Sequence, residues 1–202
     1  MKRTFLSKAL LCAAVVTMSF GAVSCKEDKQ EDPKEVAEDQ NDENLDQNDD
    51  MEDDSQFLVD AAEVDMMEIE LGNLAQQKGT HADVKALGKM MVDEHTKSSA
   101  QTKALAAKKN VTLPPALTEK GQDAYNDLND KTGMDFDKKY ADMMVDSHEK
   151  TINKMERASE NANDEEIRMW AANMLPVLRK HLDHAKMVKE KLDNSDNNNN
   201  NQ

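Results

Sequence analysis

The 202-residue chain carries 41 acids against 26 bases, a formal charge of −15, with 3% aromatic residues and a mean hydropathy of −0.86. So acidic a chain repels phosphate backbones, which removes nucleic acid from the candidate partners. Only two cysteines, Cys12 and Cys25, are present, too few for a disulfide framework or a thiolate cage.

The chain opens Met1-Lys2-Arg3, adds Lys8, runs apolar from Ala9 through Val16, and reaches Ala22-Val23-Ser24-Cys25 through small residues. A basic start, a short apolar core and a small-residue cleavage site predict a secretory signal over residues 1–24. The apolar run is shorter than the roughly 20 residues that a spanning helix needs. The cysteine directly after Ala-Val-Ser resembles the lipobox of bacterial lipoproteins. That resemblance implies an acylated Cys25 and a membrane as the first partner, and several acyl chains on one residue anchor stably. With Cys12 removed and Cys25 lipidated, no thiol remains to act as a nucleophile. The acids in Lys26-Glu27-Asp28 resemble the export signal that sends some lipoproteins to the outer cell surface. The expected address is therefore the outer membrane of the cell envelope, with periplasmic and surface-facing display both open.

Residues 26–55 hold fifteen acids and three lysines, a net of −12. With almost no apolar side chains, Lys26–Asp54 is expected to stay disordered and extended by self-repulsion, a tether over residues 25–54. The Asn-rich tail, residues 194–202, is expected to be disordered as well.

Between them, residues 55–193 are rich in Ala, Leu, Met, Glu and Lys and nearly free of strand signals. The first helix is predicted from Ser55, as N-cap, to Gly79, and the second from about Ala82 to Lys109, ending at Asn110. Val111-Thr112-Leu113-Pro114-Pro115 breaks the pattern, and a short helix follows over Glu119–Asp130. The third long helix is expected from after Asp135 to about Asn161. The fourth is expected from near Asp164 to Leu192, kinked at Pro176. Links of about three residues make two antiparallel hairpins, and about 25 residues between them are enough to return along the bundle. The predicted fold class is all-α, a ferritin-like four-helix bundle whose long crossover carries a short extra helix. An up-and-down bundle is the competing topology.

Placing residues at 100° intervals shows which polar groups point inward. Glu68 sits among Phe57, Ala61, Val64, Leu71 and Ala75, with Glu63 and Glu70 on the far side. His95 sits among Val84, Met91, Val92 and Ala106, with Gly88 offering a close helix approach. His148 joins Ala141, Met144, Val145, Ile152 and Met155. His181 joins Trp170, Met174, Val177, Ala185 and Val188. Counted from the turns, Glu68 and His95 differ in height by roughly 3 Å and His148 and His181 by roughly 6 Å. One carboxylate and three imidazoles near mid-bundle suit one transition metal ion: zinc, iron, manganese or copper. The same four groups also suit a metal-free hydrogen-bonded network that fixes register, with Ser98, Thr102 or Thr151 as partners. Eleven methionines lie between Met66 and Met187; with imidazole they suit Cu(I), and they equally suit filler in a core poor in aromatics. His184, one turn past His181, falls at the edge of the inward face.

Met90-Met91-Val92-Asp93-Glu94-His95-Thr96-Lys97 and Met143-Met144-Val145-Asp146-Ser147-His148-Glu149-Lys150 share six of eight residues. They pair the second long helix with the third, which a shared local constraint or coincidence explains better than a duplicated hairpin.

Over about Phe57–Leu192 the chain resembles the bacterial envelope family called domain of unknown function 4142, which is placed among ferritin-like proteins. The resemblance rests on Glu68-Ile69-Glu70-Leu71-Gly72-Asn73-Leu74-Ala75 and Met91-Val92-Asp93-Glu94-His95. It rests also on Phe136-Asp137 with Tyr140, on His148, and on Leu175-Pro176 followed by Leu178 and His181. It implies the ferritin-like fold and maps the family's histidines onto His95, His148 and His181; it implies no activity. Ferritin-like di-iron enzymes use Glu-x-x-His pairs. Here Val92 and Leu178 stand three before His95 and His181, so a mononuclear, histidine-rich site is the form that survives.

No Gly-rich phosphate loop, nucleotide motif or Ser/His/Asp order is present, and no residue is assigned a catalytic role. Three functions remain open. One is a non-catalytic lipoprotein module for binding or envelope stress protection. The second is a metal protein using Glu68, His95, His148 and His181 for sequestration or redox chemistry. The third is a surface for a protein partner, with a purely structural polar core.

Overall fold

The computed structural model describes residues 31–45 and 49–199, so the signal segment, Cys25 and the start of the tether lie outside the described residues. Within them six helices and no strand are found: α1 Pro33–Leu45, α2 Asp49–Lys78, α3 Ala82–Lys109, α4 Glu119–Asn129, α5 Gly133–Asn161 and α6 Glu165–Asn199.

The stops are local chemistry. α3 is capped by His81, whose Nδ1 accepts from Asp83 N at 3.2 Å, and ends at Asn110 in the left-handed region with φ 58°. Asparagine tolerates that conformation better than most residues. Thr118 caps α4 by accepting from Gly121 N at 3.2 Å. Pro176 is accommodated within α6, on its exposed face.

α2 and α3 form one hairpin, α5 and α6 the other. Each hairpin turn is held by a buried carboxylate from the opposite pair. Asp137 of α5 accepts from Thr80 N at 2.9 Å and His81 N at 2.7 Å. Asp54 of α2 accepts from Asn163 N at 3.0 Å and Asp164 N at 2.7 Å. These clamps place the start of α5 beside the end of α2, so α5 runs antiparallel to α2 and parallel to α3. The segment through α4 carries the chain back along the bundle. Two hairpins with one long crossover is the ferritin-like arrangement expected from the loop lengths.

Three elements depart from the sequence expectations. Residues 33–45, expected to be part of an extended tether, form α1, which lies along α2. Its docking is polar, which explains why apolar content did not reveal it. Asn41 donates to Thr112 O at 3.0 Å and accepts from Thr112 N at 2.7 Å, and Lys34 pairs with Asp60 at 2.5 Å. Asp32 accepts from Lys34 N and Glu119 N, both at 2.7 Å, so one carboxylate caps α1 and α4 together. Next, α2 begins at Asp49, not at Ser55, because the Ser55 hydroxyl turns back to Glu52 O at 2.8 Å instead of capping. Finally, α6 continues to Asn199, past the expected end at Leu192; no glycine or proline follows to stop it, and the Ser195 hydroxyl donates to Lys191 O at 2.9 Å.

α2 and α3 approach closely where Gly72 and Gly88 meet. A Cβ on Gly72 would come within 2.8 Å of Gly88 O, and one on Gly88 within 2.7 Å of Gly72 O. The core divides into apolar layers. Leu71, Leu74, Met91, Phe136, Tyr140, Met144 and Leu192 fill the half nearest the α2–α3 turn. Ala61, Ile152, Met155, Ala171 and Leu178, with Leu58, Val59 and Ile167 behind them, fill the other half. On α6 the buried line runs Ile167, Ala171, Leu178, His181, Ala185, while Trp170, Met174 and Val177 lie beside it half-buried. Between the layers is a sheet of polar side chains.

Candidate metal centre

Every long helix sends at least one ionisable side chain into this layer. Glu68 comes from α2, His95 from α3, His148 from α5 and His181 from α6, and all four are buried. The three histidines each offer a ring nitrogen, and these nitrogens lie within 4.8 Å of one another. Their rings pack at centroid separations of 5.7, 5.6 and 5.4 Å. The Glu68 carboxylate stands beside them, Oε2 lying 3.3 Å from His95 Nε2 and Oε1 3.5 Å from His148 Nδ1. The three histidines thus converge, and Glu68 lies beside His95 and His148 at the edge of their cluster.

The outer nitrogens are held, which fixes the inner ones. His95 Nδ1 faces Asp65 Oδ1 at 2.9 Å, and an ionised carboxylate there requires the proton on Nδ1. Asp65 accepts further hydrogen bonds from the Ser98 and Thr102 hydroxyls, both at 3.1 Å. His148 Nδ1 donates to Met144 O at 2.8 Å. Both rings therefore direct Nε2 to the centre, where His148 Nε2 lies 3.3 Å from His181 Nδ1. Glu68 is steadied by the Ser147 hydroxyl, which donates to Oε1 at 2.6 Å.

Charge follows from this arrangement. Burial works against protonating His95, but Glu68 and the Asp65 hydrogen bond outweigh it and hold the imidazole above its usual 6.5. Burial lowers His148, with the His95 cation adding to the effect. Burial, then repulsion from His95 and His148, brings His181 down from 6.5 to about 3. The surroundings thus favour the proton on His95 and disfavour it on His148 and His181.

Asp65 is the residue that sequence reasoning missed. It stands three before Glu68, so the two share a face of α2, and that Asp-x-x-Glu spacing was the available signal. Glu63, placed on the far side of α2, faces away from the centre yet is buried. Thr118 covers it, donating to Oε1 at 2.8 Å, and Lys120 reaches Oε2 at 3.1 Å. The positions where a di-iron site needs glutamates hold Val92, half-buried, and Leu178, buried. Met91 and Met144 are fully buried in the apolar layer and serve as filler there.

A family model described as "Domain of unknown function (DUF4142)" matches residues 37–188. No curated protein and no solved structure matches the chain.

Proposed function

Because the chain belongs to the family described as domain of unknown function DUF4142, which assigns no activity, we propose a function from the geometry. The bundle holds one divalent transition metal ion between Glu68, His95, His148 and His181, and lipid on Cys25 displays it at an envelope membrane.

One observation carries the metal reading. Glu68 Oε2 and His95 Nε2 are buried and lie 3.3 Å apart, yet neither has a hydrogen-bond partner. Buried polar atoms are nearly always satisfied, so a carboxylate oxygen and an imidazole nitrogen that meet only each other, beside two further imidazoles, suit a shared cation. The spacing agrees: a tetrahedral ion with bonds of about 2.0 Å sets its donors about 3.3 Å apart. The His148–His181 nitrogen pair shows that separation too. So does the second shell, since Asp65 on His95 and a carbonyl on His148 are the partners that orient metal-ligating imidazoles. Four protein donors close a four-coordinate site, which favours sequestration or structural use over turnover.

A metal-free polar network is the second reading, favoured by the three hydrogen bonds that already satisfy Asp65. Elemental analysis separates the two. The chain from Lys26 onward, purified without a metal-binding tag and with α1 retained, should carry close to one equivalent of a transition metal. A His95→Ala/His148→Ala double variant should lose it while remaining helical. No stoichiometric metal after anaerobic reconstitution with zinc, iron, manganese and copper would leave the polar network standing. Labelled palmitate incorporation that vanishes in Cys25→Ala tests the anchor.

A further inference from the structure

A second cluster of donors lies on the surface between α3 and α6. A cleft of about 310 Å³ there is lined by Asp83, Leu87, Met90, His184, Met187 and Lys191, among others. His184 Nδ1 lies 3.1 Å from Met90 Sδ, linking the two helices. Met187 follows His184 by three residues and so projects from the same face of α6. It is 55% exposed, and among the described residues only Met169 shares that exposure in a large apolar side chain. A methionine this exposed is not filling a core.

We propose that Met90, His184 and Met187 form a surface site for a soft monovalent cation, Cu(I) by its chemistry. Two soft thioethers with one borderline imidazole suit a d¹⁰ monovalent ion and not Mg²⁺, Ca²⁺ or Mn²⁺. The one carboxylate at the rim is engaged elsewhere, since Asp83 pairs with Lys191 at 2.6 Å. That pairing also neutralises the lysine, which otherwise repels a cation. The thioethers are flexible enough to close on an ion from both helices. The repeated octapeptide supplies an internal control. Met143 occupies the place in α5 that Met90 has in α3, but its groove is lined by Met67 and by Lys120, Lys150 and Lys154, with no histidine. The α5 groove thus lacks the imidazole that the α3–α6 cleft supplies.

The test uses the chain from Lys26 onward, which holds no thiol to capture the probe, and Ag(I), a redox-inert soft monovalent ion, with methionine methyl groups labelled for NMR. One equivalent should shift the Met90 and Met187 methyls and the His184 ring, and leave Met91, Met143 and Met144 in place. In an anaerobic Cu(I) competition with bicinchoninate, His184→Gln/Met187→Leu should weaken binding at least tenfold. Its melting temperature and divalent metal content should match the wild type. Shifts confined to the buried histidines, or unchanged Cu(I) affinity in the double variant, would overturn the proposal. Because the readouts are separate, either result leaves the buried centre to be judged by its own metal analysis.

Discussion

Asp65 and His95 lie on adjacent antiparallel helices, and the Asp65 carboxylate accepts the His95 Nδ1 proton at 2.9 Å in the buried layer. That contact determines which nitrogen of His95 faces the other three donors. It also places a second negative charge behind the proposed ion.

Asp65→Asn should therefore weaken metal binding without touching a ligand. Outer partners of ligating histidines are worth about 10–100-fold in affinity. A competition titration with a chromogenic zinc chelator should show a loss in that range, with the stoichiometry still one. An unchanged affinity would remove Asp65 from the metal site and leave it as a structural acceptor.

Acid should act on the metal-free fold through the histidines in opposing directions. His148 and His181 are held below their ordinary 6.5, so the unfolded chain takes up protons that the fold refuses as pH falls. Their contribution is present above 6.5 and is lost on the way down to about 3. His95 is raised, so its contribution is present below 6.5 and is lost as pH rises through its folded value. Below 6.5 the His95 contribution is constant, so the other two histidines set the slope, and urea midpoints for the apo protein should fall between pH 6.5 and 4. His181→Gln should flatten that decline, and a decline of the same steepness would show that the acid sensitivity resides elsewhere. Metal must displace the His95 proton, so affinity should also fall with acid.

The helix approach at Gly72 and Gly88 sets the spacing on which the Glu68–His95 pair depends. Gly88→Ala gains about 1 kcal/mol in helix propensity but drives a Cβ onto Gly72 O. Overpacking of this kind costs about 1–3 kcal/mol. A lower urea midpoint together with weaker metal binding is the expected outcome; an unchanged midpoint would mean that α2 and α3 separate freely.

α1 should be a stabilising part of the domain. Asn41→Ala leaves the Thr112 amide and carbonyl without their partner. With Thr112 half-buried, the loss of these bonds should cost about 1 kcal/mol. Hydrogen exchange at the Thr112 amide should speed markedly, and slow exchange in the variant would show that α1 does not protect the crossover.

Sequence alone determined what depends on one helix and its ends. Two short links, one long one and the caps gave the hairpins, and α3 runs Ala82–Lys109 as its signals require. Residue counts from each turn put Glu68, His95, His148 and His181 in one layer, because rise per residue is nearly constant. The tertiary structure decided what depends on neighbours. Helical arithmetic tells which residues share a face, but not which element covers it. Glu63 therefore read as outward, although α4's N-cap Thr118 buries it. Val177 read as central to the α6 stripe, where packing selects Leu178. α1 escaped notice because Asp60 and Glu63 of α2 pair with Lys34 and the Thr112 backbone satisfies Asn41, a contribution that its own composition does not carry. Asp65 is defined by the same logic, since a carboxylate becomes part of a site only when a particular histidine is packed against it.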